Sequence, residues 1–102
     1  MSLTHVVSIG NTDDKLTQAE WSKFCAEVNA LVKAYGKNVY FVGYTGPAQP
    51  YQSATFVLEP WDGDEKFFLK ALMGILVAYR QQSAAVVIGE TEFVRTKDVI
   101  HD

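Results

Sequence analysis

The side chains with most to offer a ligand stand close together near the N-terminus, where Asn11, Thr12, Asp13, Asp14, Lys15 and Gln18 follow the apolar run Val6-Val7-Ser8-Ile9-Gly10. Two amides, two carboxylates and an ammonium can bond the polar edge of a sugar or base, accept hydroxyl or amino protons and meet an anionic group. Two further polar clusters lie later in the chain: Gln49, Tyr51, Gln52 and Ser53 in one, Gln81, Gln82 and Ser83 in the other. Each has a plainer explanation. Acids just before a helix gain about 0.3 to 1 kcal/mol from its dipole with no ligand present. Asn11 after Gly10 suits a left-handed turn, and Lys15 has no glycine-rich phosphate loop around it. Gln52 and Ser83 can equally serve loop backbone groups. Only convergence in space would make these clusters a site.

Groups for catalysis are sparser. His5 opens a strand and His101 lies in the tail, and neither has metal-ligand spacing with the single cysteine, Cys25. A Ser, His and acid set could be drawn only by forcing distant residues together, and one Asp-Asp pair is thin support for Mg²⁺. The sequence supports no catalytic residue, no metal and no cofactor. Cys25 falls on the apolar face of a predicted helix and reads as core.

Elements must position these residues. The 102 residues suit one domain, 1–102, with a real core, and 48% hydrophobic with 21% charged is an ordinary globular balance. A net charge of −3 and nine unclustered Lys and Arg offer no footprint for a nucleic acid backbone. No apolar run approaches the roughly 20 residues that span a bilayer, and no signal peptide stands at the N-terminus, so no membrane contact and a cytoplasmic location are expected.

His5 to Ile9 reads as a short central strand. Thr17 and Glu20 form a capping box with Leu16 and Trp21 as its staple, opening a helix from Gln18 to Tyr35 that Gly36 would stop in left-handed conformation. Val39 to Tyr44 and Ser53 to Leu58 read as a hairpin whose loop, Thr45 to Gln52, is longer than usual. Asp62 or Asp64 caps a second helix ending near Arg80, with a stripe of Phe68, Leu72, Ile75 and Tyr79 broadened by Phe67, Ala71, Leu76 and Val77; Gly74 suggests close packing on the sheet. Ala84 to Ile88 is a last strand, continued through a bulge at Gly89-Glu90 into Thr91–Val94, and the residues from Lys97 should fray.

Strand, helix, strand, strand, helix, strand folds most simply as an α+β, ferredoxin-like βαββαβ sandwich, a four-stranded antiparallel sheet with two helices on one face. Right-handed crossovers give the strand order four, one, three, two. Loops 10–18, 45–53 and 81–84 then meet at one end of the sheet. The stretch Glu59-Pro60-Trp61-Asp62 falls at the other end as capping structure.

The run Ile9-Gly10-Asn11-Thr12-Asp13-Asp14-Lys15-Leu16-Thr17-Gln18, followed by Trp21, resembles a family of uncharacterised small proteins of actinobacteria and their phages. The resemblance extends to Pro50–Ala54, Gln81–Ala84 and Thr91–Phe93, with Thr12 where Ser is usual, Tyr51 for Trp, Ser53 for Asn and Gln82 for Asp. It implies a small, phage-encoded or host protein and lends no activity. Two functions stand beside each other. One is a site for a small polar ligand, nucleotide or sugar-like, built from Asn11, Asp13, Asp14, Lys15, Gln18, Tyr51, Gln52 and Ser83, with Tyr51 or Trp21 stacking on a ring. The other is an interaction or regulatory module working through an apolar outer sheet face, on which alternation puts either Tyr40, Val42 and Tyr44 or Val39 and Phe41. A homodimer through that face is expected with either.

Overall fold

In β1 (Leu3–Gly10) the period-two pattern buries His5, Val7 and Ile9 and leaves Thr4, Val6 and Ser8 on the opposite face. The computed structural model describes residues 3–11, 16–46 and 52–96. The remaining elements are α1 (Gln18–Tyr35), β2 (Gly36–Tyr44), β3 (Ser53–Pro60), α2 (Glu65–Ala78) and β4 (Ala85–Glu90). Strands follow the order β2-β3-β1-β4, with every neighbouring pair antiparallel. This is the ferredoxin-like α+β sandwich, in the strand order that crossover handedness requires. Val7, Ile9, Ala54, Phe56 and Leu58 from the sheet join Phe24, Val28 and Val32 of α1 and Phe68, Leu72 and Leu76 of α2 in one core.

The start of α1 matches its sequence signature. Glu20 N–H donates to Thr17 Oγ1 at 3.1 Å, and Thr17 N–H donates to Glu20 Oε1 at 3.0 Å, a complete capping box. Its end differs from expectation, because Gly36 is extended (φ −79°, ψ 117°) and passes straight into β2. Glycine is required there by proximity: a Cβ would lie 2.7 Å from the Val32 carbonyl oxygen and 3.0 Å from Val39 Cγ2.

Helix α2 departs further. Asp64 is its N-cap residue but makes no side-chain cap bond. Phe68, Leu72 and Leu76 are buried, whereas Phe67 and Val77, expected to widen that stripe, are 62% and 71% exposed, and no atom lies within 4 Å of a Cβ placed on Gly74. One helix flank meets α1 and another the sheet; Phe67, Gly74 and Val77 lie on the solvent side. The helix closes in a Schellman motif, with Gln81 N–H to Leu76 O at 2.9 Å and Arg80 N–H to Val77 O at 3.1 Å. The left-handed residue is Arg80 (φ 58°), where glycine is usual. Its guanidinium bonds Glu20 Oε2 at 2.9 Å, and the Tyr79 hydroxyl donates to Glu27, so this turn is tied to α1.

Two expectations about the outer sheet face are corrected. Register shifts in β2 between Gly36 and Asn38 and between Val39 and Phe41 break the alternation, so neither proposed set shares a face. Phe41 sits opposite Val57 on the outer face, and Tyr40 reaches Glu59 there, while Val42 opposes Phe56 and Tyr44 meets the Phe56 ring edge-on at 6.2 Å on the helix side. Strand β4 ends at Glu90 with no continuation into Thr91–Val94. Instead the Thr91 hydroxyl bonds that of Thr4, and Phe93 meets Tyr40 at 6.5 Å, so the segment crosses the outer face from one edge of the sheet toward the other. Glu59 lies at that end within β3, buried and bonded to Asn38 Nδ2 at 2.7 Å, and is not capping structure for α2. The residues from Lys97, expected to fray, lie outside those described.

Candidate functional site

Two of the three polar loops meet through amides. Asn11 is 4% exposed. Its Oδ1 accepts from Leu16 N–H at 3.0 Å, and its Nδ2 donates to Leu16 O and to Gln52 Oε1, each at 3.0 Å. Asn11 N–H also donates to Gln52 O at 2.9 Å, and the Gln18 and Gln52 side chains pair reciprocally at 3.1 and 2.8 Å. Asn11 is not left-handed, as its turn position suggested. It serves as a clamp, closing the loop that ends at Leu16 and tying it to the neck of the hairpin loop, where Thr45 N–H bonds Ser53 O at 2.9 Å.

Asn11, Gln18 and Gln52 are thus brought together. Ser83 stands before β4 at the same end of the sheet but lines a different hollow, with Leu69, Leu72 and Leu76 of α2. Asp13, Asp14, Lys15 and Tyr51 lie outside the described residues. The amides of the cluster largely satisfy one another. An amide pair leaves Gln18 one donor and one acceptor position to spare.

That spare capacity borders an open groove of about 460 Å³ between α1 and the end of β2, lined by Gln18, Trp21, Ser22, Cys25, Ala26, Asn29 and Tyr44. Gln18, Ser22, Cys25, Ala26 and Asn29 fall on one side of α1 by their spacing of three and four, and Tyr44 closes the far wall. The sequence puts Cys25 in the core, offers Trp21 both as a helix staple and as a stacking ring, and sets Tyr44 in one of the two candidate outer-face rows; it gives Ser22 and Asn29 no role. Only the i, i+4, i+7 spacing of Ser22, Ala26 and Asn29, small or polar beside the apolar stripe of the helix, hinted at a second face. Asn29 Oδ1 is closed off from solvent and has no hydrogen-bond partner among the described residues, a condition that costs free energy and favours turning the amide toward a donor. Burial pushes the Cys25 thiol up to about 11, so it stays protonated at neutral pH. Tyr44 is also raised, chiefly by burial. The groove therefore presents neutral hydrogen-bonding groups between two aromatic rings.

Among the described residues there is no cluster of three or more His, Cys, Asp and Glu placed to hold a metal ion. None of their helices is long and apolar enough to cross a membrane. No family model, curated protein or solved structure matches this chain.

Proposed function

We propose that the chain is a cytoplasmic binding protein for a small polar ligand of nucleotide or sugar-like kind, held in the groove between α1 and Tyr44. The observation that carries this reading is the enclosed, unpartnered Asn29 Oδ1 in a groove whose other polar groups are all uncharged. With the Asn29 amide turned outward, a ligand N–H or O–H would meet its oxygen, Gln18 would bond a neighbouring edge, and the exposed Tyr44 ring offers a stacking surface. The protonated Cys25 fits binding better than turnover. The test is a thermal-shift screen of nucleosides, nucleotides and monosaccharides. A ligand at 100 times its Kd adds about 2.7 kcal/mol and so raises the melting temperature visibly. Asn29→Ala should leave the free protein as stable or more so, since it removes an unsatisfied carbonyl, while abolishing the shift, and Tyr44→Ala should weaken it. A ligand whose shift survives both substitutions overturns the assignment.

One observation favours a second reading, an interaction module acting through the sheet without a small ligand. Phe41, Val57, Val6 and Val87 stand in register, one from each strand, as a continuous apolar row across the outer face. A host protein captured by the wild type and lost with Phe41→Lys, but retained by Asn29→Ala, would support it.

A further inference from the structure

The two edges of the sheet are unlike. The β2 edge is interrupted by two register shifts and carries Lys37, devices that keep an edge strand from pairing with another chain. The β4 edge has no register shift, and its one charge, Glu90, stands at its last residue. All six of its residues, Ala85–Glu90, pair with β1 without a slip, and from Ala85 to Gly89 it holds no charge and no proline. Among the described residues the chain beyond Glu90 leaves by the outer face, toward Thr4 and Tyr40, and does not cover this edge.

Apolar surface lies bare beside it in the helix layer. Ile88 is in register with His5, which is wholly buried against Phe68, so Ile88 faces the helices; yet it is 46% exposed. Met73, 62% exposed, lines a hollow of about 300 Å³ between α2 and β4 together with Leu69, Leu72, Leu76 and Val86. From Ala71 to Tyr79 the helix carries no charged residue.

We propose that β4 pairs antiparallel with β4 of a second copy, joining two four-stranded sheets into one. A two-fold axis perpendicular to the sheet keeps both helix layers on the same side, so Ile88 and the Met73 flank of α2 in each copy close over the joined edge against their counterparts. A foreign strand could satisfy the edge backbone but would leave Met73 and the hollow in water; a second copy supplies a strand and an apolar flank at the matching spacing. The homodimer expected from the sequence thus forms at an edge and not through the outer face. The groove on α1 and β2 lies at the other edge and stays open, so this proposal stands independently of the ligand reading.

Light scattering on eluting protein at micromolar concentration should give twice the chain mass. Met73→Lys on the helix and Ile88→Lys on the strand should each return it to the monomer mass with an unchanged far-ultraviolet circular dichroism spectrum. Should either variant fail to fold, amide exchange of the unsubstituted chain at two concentrations decides, with β4 amides slower at the higher concentration. A monomeric wild type, β4 exchange indifferent to concentration, or a dimer that survives both substitutions and breaks with Phe41→Lys would overturn the proposal.

Discussion

Asn11 and Gln52, from loops far apart in the chain, are joined twice, backbone to backbone at 2.9 Å and side chain to side chain at 3.0 Å. The more consequential bonds of Asn11 are those to Leu16, because they serve a buried backbone. Asn11→Ala strands the Leu16 N–H and C=O together and should cost about 1–3 kcal/mol, read as a lower urea midpoint at unchanged slope. Gln52→Ala, losing part-exposed bonds, should cost less, about 0.5–1.5 kcal/mol. Equal losses would show that the clamp lies between the loops and not within the first.

His5 gives stability a pH dependence of definite sign. Burial lowers its pKa below the ordinary 6.5, opposed in part by the Leu3 backbone and the Glu65 carboxylate. Below the ordinary value the unfolded chain therefore binds more protons than the folded one. Stability should be full above about pH 7 and fall as pH drops through 6.5 toward the folded value. Glu20, lowered by the Thr17 N–H and then by Arg80, contributes above its ordinary 4.5 and is lost only in stronger acid, so the two effects separate. His5→Leu should flatten the fall that begins near pH 6.5 and leave the acid limb in place.

The fold was legible where local chemistry and topology agree. The capping box and the apolar spacing from Trp21 to Tyr35 fix α1, and crossover handedness then orders the strands. The polar convergence was legible only in part, since Asn11 and Gln52 lie on adjacent strand ends while Ser83 is turned toward α2. Asn29 and Tyr44 were missed because one looked like an ordinary half-buried polar residue and the other like a sheet-face aromatic. A bulge, invisible in composition, decides where Tyr44 points. The burial of α2 was overstated because an apolar sequence records what a helix could bury, not how many neighbours reach it.

Two glycines should respond oppositely to alanine. At Gly36 the Cβ meets the Val32 backbone carbonyl at 2.7 Å, which cannot swing aside, so Gly36→Ala should destabilise by about 1–3 kcal/mol. At Gly74 the space is open and the position is helical, so Gly74→Ala should stabilise by about 0.5–1 kcal/mol. Chemical denaturation of the two variants checks the pair.

Arg80 holds a left-handed conformation that costs a residue with a Cβ about 1–2 kcal/mol. Its ion pair with Glu20 is solvent-exposed and offsets little of this. Arg80→Gly should therefore raise the melting temperature, whereas Arg80→Ala, which keeps the strain and loses the ion pair, should lower it. A gain in both variants would mean that the ion pair opposes the turn.

Cys25 reports on the groove without any ligand being known. Nearly buried and with its pKa pushed up to about 11, it should be less than about one part in a thousand thiolate at neutral pH. Iodoacetamide should modify the folded chain slowly, at a rate that climbs with pH through 9 without a plateau, and quickly once denaturant unfolds it. A molecule seated against Gln18, Asn29 and Tyr44 covers the same thiol, so it should slow the folded-state reaction further while leaving the unfolded rate unchanged. Rapid alkylation with a plateau near neutrality would mean a thiolate stabilised in the groove. The groove would then have the character of a nucleophile's pocket, and the binding reading would give way to a catalytic one.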